Sequence, residues 1–272
     1  MPELPEVETI VADLAPTLTG ARITGVLVQD PRLVRFPGGE DFNRRLTGRV
    51  ILGMKRRGKY IVFELDQGLT WLVHLRMTGR LLTRLAPEER HLRARFCLDS
   101  SLSLYYCDLR RFGGMWAYWP GEEEGLGGFP ALGPEPLSSG FDGDWLVRRL
   151  AGRQGPLKAL LLDQGVVAGL GNIYTDEALF QAGLSPKRPG GSLSAQECGA
   201  LARAVKDVLA RAIRSRGTTF RDYQTGLGTP GRHQDELAVY GRGGQPCRHC
   251  GKPLEKARVG GRTTVFCPGC QE

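Results

Sequence analysis

The chain opens Met1-Pro2-Glu3-Leu4-Pro5-Glu6, and Pro2 and Glu3 are residue types that suit covalent chemistry. Pro2 is small, so removal of Met1 is expected, leaving a free secondary amine. An α-amino group titrates near ~8 against ~10.4 for lysine, so much more of it is neutral and nucleophilic at neutral pH. Such an amine attacks an aldehyde-like carbon and forms an iminium, an electron sink for breaking neighbouring bonds. Glu3 beside it can give or take the proton. The same residues also read as a helix start, with proline in the first turn and acids at the positive dipole end.

A second set of residues has metal-ligand spacing. Cys247-x2-Cys250 and Cys267-x2-Cys270 are separated by sixteen residues, the pattern of a four-thiolate zinc site. Redox dithiols are the alternative. Four thiolates leave no open position for water, so one structural Zn2+ is expected rather than a catalytic one. The segment 242–262 carries Arg242, Arg248, Lys252, Lys256, Arg258 and Arg262 against Glu255, as a DNA finger or a solvated basic surface would.

Other candidates are turns and basic runs. Gly169-Leu170-Gly171-Asn172 joins two helical patterns; Asn172 can cap the second, and its exposed amides can hold a phosphate. Packing glycines are the competing reading, and the motif is not that of a dinucleotide site. Lys55-Arg56-Arg57-Gly58-Lys59-Tyr60 opens a strand, where alternation can turn Lys59 into a cleft. His74 and Met77 follow within His74-Leu75-Arg76-Met77-Thr78-Gly79. Arg110-Arg111-Phe112-Gly113-Gly114 sets a basic pair beside an aromatic, as minor-groove insertion requires. For each of these, placement in the core is the alternative.

The elements that must position these residues change character along the chain. Val7, Ile10, Val11, Leu14 and Leu18 recur at helical spacing, closed by Gly20. From Arg22 to Trp119 short apolar runs alternate with turns: Ile23–Val28, Tyr60–Leu65, Leu69–Leu75, Arg95–Leu98, Leu102–Cys107 and Met115–Tyr118, which suggests a β-sandwich. Residues 120–143 are rich in Gly, Pro and Ser and read as a linker. Beyond them Asp144–Leu150, Pro156–Gln164, Asn172–Ala182 and Ser194–Ser215 are helical, the last with Ser194 and Glu197 placed as a capping box. Residues 216–236 have no periodicity and read as a long functional loop. The expected division is 1–130 sandwich, 131–143 linker, 144–236 helical domain with its loop, and 237–272 finger.

Charge points to the partner. Residues 1–150 hold 20 Lys+Arg against 19 Asp+Glu, whereas 151–272 hold 17 against 10. Basic charge gathered in the second half favours a polyanion, nucleic acid first and anionic membrane second. Arginine, 30 of the 37 basic residues, suits bidentate phosphate contact, although a GC-rich genome also favours it. No apolar run reaches the ~18 residues of a transmembrane helix. Seven cysteines without a secretory signal point to a reducing cytoplasm.

Taken together the motifs resemble the formamidopyrimidine-DNA glycosylase family over essentially the whole chain. The resemblance rests on PELPEVE at the start, RRGKY at 56–60, HLRMTG at 74–79, RRFG at 110–113, LGPEPL at 132–137, GLGNIY at 169–174 and the four-cysteine finger. It implies an α+β fold, an N-terminal β-sandwich with flanking helices followed by a helix–two-turn–helix domain and a zinc finger, with DNA between the two. It implies excision of oxidised purines from duplex DNA by a monomer of the bacterial cytoplasm, with strand scission at the abasic site. Pro2 would be the nucleophile, Glu3 the acid opening the sugar ring, Glu6 its support, and Lys59 and Arg262 catalytic in strand scission. His74, His91, Arg110, Arg153 and Asn172 would contact DNA, and Met77, Arg110 and Phe112 would fill the hole left by the extruded base. Thr218, Thr219, Arg221 and Tyr223 would belong to the cover over that base. The chain departs from relatives at Arg76, where glycine is frequent, and around Gly152–Lys158, where some are lysine-rich. Endonuclease VIII-type excision of oxidised pyrimidines and a non-catalytic zinc-finger DNA-binding protein are the alternatives. Leu4 favours the formamidopyrimidine branch.

Overall fold

The computed structural model describes all residues except Ser100, Arg221 and Asp222. It separates into two compact units, Met1–Pro130 with Ser215–Arg232, and Ala131–Arg214 with His233–Glu272.

The first unit begins with helix α1 (Leu4–Leu18), whose Val7, Ile10, Val11, Leu14 and Leu18 form one buried stripe. It ends where the amide of Thr19 donates to the Ala15 carbonyl and Gly20 turns at φ 90°. Two sheets follow. One runs β1 (Ile23–Val28), β7 (Leu92–Leu98), β8 (Ser103–Asp108), β6 (Gly79–Leu82). The other runs β2 (Val34–Phe36), β9 (Gly114–Tyr118), β5 (Thr70–His74), β4 (Tyr60–Leu65), β3 (Ile51–Arg57). Neighbours are antiparallel except β2 and β9. Both sheets and the α1 stripe feed one core. Trp71 of β5 stacks on Phe63 of β4 at 4.2 Å and reaches Phe96 of β7 at 4.4 Å, so the aromatics join the sheets. Each such buried ring contributes roughly 1.5–3 kcal/mol of transfer free energy.

Two expectations within residues 1–130 need correction. Helix α2 (Gly39–Leu46) lies where only strands were expected. Its eight residues bury just Phe42 and Leu46, one i,i+4 pair among charged neighbours, too little for a periodic signal. The linker-like stretch from 120 is in part sandwich. Leu126 is buried against Val62 and Leu72, and Phe129 meets the Tyr60 ring at 5.1 Å.

The second unit holds α3 (Gly143–Leu150), α4 (Leu157–Leu162), α5 (Asn172–Gln181) and α6 (Ala195–Arg214). Asp142 accepts from the Trp145 amide at 2.7 Å and caps α3. Ser194 and Glu197 form the expected box on α6: Glu197 accepts from the Ser194 amide at 2.8 Å, and the Glu197 amide donates to Ser194 Oγ at 3.2 Å. A hairpin of β10 (Glu255–Val259) and β11 (Arg262–Phe266) completes the unit. Segment Ser215–Arg232, expected with the helical domain, packs with the sandwich instead. Its link to α1, described below, is invisible to local periodicity.

Candidate active site and nucleic-acid interface

Pro2 and Glu3 lie at the head of α1, both buried, with Glu3 at the N-cap position and only 2 % exposed. Met1 is exposed, and its acyl group holds the Pro2 nitrogen as an amide. Glu6, one helical turn on, is 1 % exposed and bonds in two directions. One oxygen accepts from the Glu3 amide at 2.8 Å, the other from the Thr218 amide at 2.8 Å. A carboxylate buried this deeply needs such donors. The expected cover segment is thus fastened to the chain start. Two further ties reinforce it. Arg216 grips Asp13 at 2.6 and 2.7 Å, and the Tyr223 hydroxyl donates to the Glu6 carbonyl at 3.4 Å. Thr219 Oγ1 accepts from the Gly231 amide at 2.9 Å, closing the segment on itself. Arg221 falls outside the described residues.

Lys59 comes from the turn between β3 and β4. Arg57 pairs with Tyr60, leaving Gly58 and Lys59 as the two turn residues, with Gly58 at φ 57°. Arg56 ties this turn to α1 by an ion pair with Glu8 at 2.6 Å and by donating to the Gly58 carbonyl at 3.2 Å. Lys59 is 7 % exposed. His74 lies opposite Tyr60 in the β4–β5 register, with its ring edge-on at 4.6 Å. It is 5 % exposed, and burial, then the charges of Arg76 and Lys59, lower its pKa to about 3. Its Nδ1 accepts from the Arg76 amide at 2.9 Å, so the neutral ring carries its proton on Nε2. Arg76, the departure noted above, takes φ 52°, and the imidazole steadies that turn.

The three expected wedge residues assemble at the surface. Arg110 Nη1 donates to Met77 Sδ at 3.1 Å, and its guanidinium lies 4.7 Å from the Phe112 ring centre. Met77 is 42 % and Phe112 48 % exposed, so both are offered to solvent rather than used in the core. Buried Asp108, which the sequence did not single out, knots their turns. Its carboxylate accepts from Thr78 Oγ1 at 2.5 Å, the Arg110 amide at 3.1 Å and the Gly113 amide at 2.9 Å. Its own amide donates to the His91 carbonyl at 2.9 Å. Met77, His91, Arg110 and Phe112 each sit on or next to one of these partners. Gly113 is required: a Cβ there would lie 1.7 Å from the Tyr106 hydroxyl.

The second unit carries the other candidates. The N-cap of α5 is Gly171, not Asn172. Asn172 instead donates from Nδ2 to the Thr263 carbonyl at 3.1 Å, linking α5 to the finger hairpin. Arg262 begins β11, exposed beside the hairpin tip Gly260-Gly261. Arg153 follows α3 and lies 3.8 Å from Asp163. Sequence reasoning missed Lys158, which is fully buried. It pairs with Asp176 at 2.7 Å and donates to Thr264 Oγ1 at 2.8 Å, while Asp176 accepts from the Val265 amide at 3.1 Å. The only available signal was lysine in an apolar run, Pro156-Leu157-Lys158-Ala159-Leu160. Glu177 accepts from the amides of Ala238, Val239 and Tyr240 at 2.8–2.9 Å.

Cys247, Cys250, Cys267 and Cys270 bring their sulfurs within 4.8 Å of one another. Cys247 to Cys270 is 3.9 Å and Cys250 to Cys267 is 3.4 Å. A tetrahedron with Zn–S near ~2.3 Å places sulfurs about 3.8 Å apart, so the four thiols fit one zinc ion with no open position.

A sandwich headed by a buried Pro-Glu pair, an exposed Met77–Arg110–Phe112 cluster, and a helical unit closed by a four-thiolate finger define a class of zinc-finger DNA glycosylases. The chain belongs to the formamidopyrimidine-DNA glycosylase family. Three family descriptions match in succession: the formamidopyrimidine-DNA glycosylase N-terminal domain over residues 1–115, the H2TH domain of the same enzyme over 132–224, and a zinc finger found in FPG and IleRS over 244–272. A formamidopyrimidine-DNA glycosylase of Laribacter hongkongensis is 46% identical over 274 residues, covering 100% of both chains. The MutM (Fpg) crystal structure from Thermus thermophilus is 43% identical with a TM-score of 0.90, covering 99% of this chain and 98% of that one. A Lactococcus lactis Fpg mutant in complex with Fapy-dG-containing DNA is 37% identical with a TM-score of 0.91 over 100% of both chains. The Lactococcus lactis protein has also been solved with abasic-site DNA. No helix among the described residues is long and apolar enough to cross a membrane.

Proposed function

We propose that this chain is a bifunctional DNA glycosylase and abasic-site lyase. It excises oxidised purines, 8-oxoguanine and formamidopyrimidines, from duplex DNA as a monomer at the bacterial nucleoid. The observation that carries the reading is the buried Pro2-Glu3 pair joined through Glu6 to the Thr218 amide. It sets a potential amine nucleophile, an acid and a cover segment on one helix head.

The chemistry follows from these residues. A base inside a duplex hides its sugar carbon, so the nucleotide must be extruded at a cost of a few kcal/mol. Met77, Arg110 and Phe112 offset that cost by filling the hole, while His91, Arg153, Asn172 and Arg262 hold phosphates. With Met1 removed, the Pro2 nitrogen attacks C1′ and the C1′–N9 bond breaks, the base taking a proton as it leaves. Glu3 donates to the ring oxygen as the sugar opens and the iminium forms. That cation acidifies the C2′ hydrogen, and β-elimination breaks the C3′–O bond. A second elimination breaks C5′–O, with Lys59 and Arg262 serving proton transfer and phosphate contact. His74, buried and neutral, acts through the turn it steadies.

Borohydride reduction on an 8-oxoguanine:cytosine duplex should trap a covalent adduct, and Pro2→Gly should bind DNA but lose most single-turnover excision. Unchanged excision by that variant would refute the nucleophile. A thymine-glycol duplex preferred over 8-oxoguanine would move the substrate class to oxidised pyrimidines.

A further inference from the structure

We propose that Arg80 is a positioning residue for this reaction, coupling the cover segment to His91 at the entry to β7. The proposal rests on the function proposed above. Arg80 stands on β6, and its guanidinium forks. Nη1 donates to Gln224 Oε1 at 3.0 Å, and Nη2 pairs with the Glu89 carboxylate. Glu89 in turn accepts from the His91 amide at 2.8 Å, and the His91 carbonyl accepts from Asp108, the knot of the wedge turns. A continuous polar line therefore runs from the cover segment to the expected DNA contacts.

The line borders a cavity, but its two charged side chains are mostly covered. The Arg80 side chain is 20% exposed and that of Glu89 8%. Burial pushes the Glu89 pKa up, but the His91 amide and Arg80 outweigh it, and the net shift is downward. The carboxylate thus stays charged and the pair strong. The fork is specific to arginine. A lysine can meet Glu89 but cannot hold two acceptors in one plane.

The cover segment is tethered from both sides here. Tyr223 ties it to the Glu6 carbonyl of α1 at 3.4 Å, and Gln224, the next residue, ties it to Arg80. The turn after it closes on itself, Thr225 to Thr229 at 2.8 Å, so it can shift as a unit. A cavity of about 590 Å³ lined by Arg84, Leu85, Gly226 and Leu227 gives it room. Arg80 sets where that unit rests once His91 has met the DNA backbone.

The test uses the zinc-loaded full chain with Arg80→Met, Arg80→Lys, Gln224→Ala and the Arg80→Met/Gln224→Ala double variant. Each is assayed on an 8-oxoguanine:cytosine duplex and on a duplex with a preformed abasic site, where there is no base to cover. Arg80→Met and Arg80→Lys should each lower the excision kcat about tenfold with KM within about twofold, and cut the abasic duplex at the wild-type rate. The double variant should be no worse than Arg80→Met alone. Rescue by Arg80→Lys, equal losses on both substrates, additive losses, or wild-type kcat in every variant would each overturn the proposal. Wild-type protein that leaves 8-oxoguanine in place would overturn the function itself, a separate and distinguishable failure.

Discussion

His74 sits in a dry pocket beside two positive charges, and this makes one imidazole a reporter of acid stability. Its pKa is lowered from its ordinary value to about 3 by burial and then by the charges of Arg76 and Lys59. In the unfolded chain it binds a proton near pH ~6.5; in the folded chain it does not until the pH approaches its lowered value. The stabilising effect of keeping it neutral is therefore complete above the unfolded pKa. It is lost as pH falls from there towards about 3. His74→Gln removes the titration while leaving a side chain able to accept from the Arg76 amide. Its melting temperature should change less between pH 7 and pH 4 than that of the wild type. Parallel pH profiles would show that the buried imidazole does not govern acid stability. The wedge residues make a different point. The exposure of Met77 and Phe112 was not legible from their neighbours, which suit a core position equally well; only the family resemblance pointed to it. Nor was Asp108 legible, since one aspartate at a strand end gives no local sign that three donors will converge on it.

At the scale of elements, the Lys158–Asp176 pair joins α4 and α5 to β11. Both side chains are fully buried, and burial raises the Asp176 pKa to about 6 even though Lys158 opposes the shift. Removing one partner of a buried pair leaves the other charge uncompensated, at a cost of about 3–5 kcal/mol. Asp176→Asn should therefore loosen the hairpin. The loss should appear as faster hydrogen exchange at the Val265 amide and faster zinc release to a chelator. Lys158→Met combined with Asp176→Leu should recover most of it. Wild-type exchange in Asp176→Asn would show that the pair is no anchor. Helix α6 was legible because its cap and stripe are local, and its boundaries agree with the capping box to a residue; α5 is buried all round and its cap is Gly171 rather than the expected Asn172. α2 was not legible, and neither was the placement of Ser215–Arg232 with the sandwich. That placement depends on Glu6 and Asp13 meeting residues more than two hundred positions away, which no window along the chain can sense.

At the scale of the whole molecule, charge and metal set how the protein holds DNA. The net charge is +8, concentrated in residues 151–272, and the finger adds six Lys and Arg between 242 and 262 against one Glu. Binding that neutralises phosphates releases counterions, so affinity should fall steeply with salt, by a logarithmic slope of about 0.9 per phosphate contacted. The finger buries only a small cluster around Val239, Leu254 and Val265, so its folding must come largely from the metal. Chelation of zinc should unfold residues 244–272 and leave the sandwich intact, because that core is built from other residues. The chelated protein should bind an abasic-site duplex more weakly at low salt and show a shallower salt slope, since the phosphate contacts proposed for the finger would be lost. Arg262→Ala in the zinc-loaded protein should reproduce about one contact's share of that change, equally for damaged and undamaged DNA. A salt slope unaltered by chelation would mean that the basic finger is a solvated surface and that the contacts lie elsewhere on the molecule.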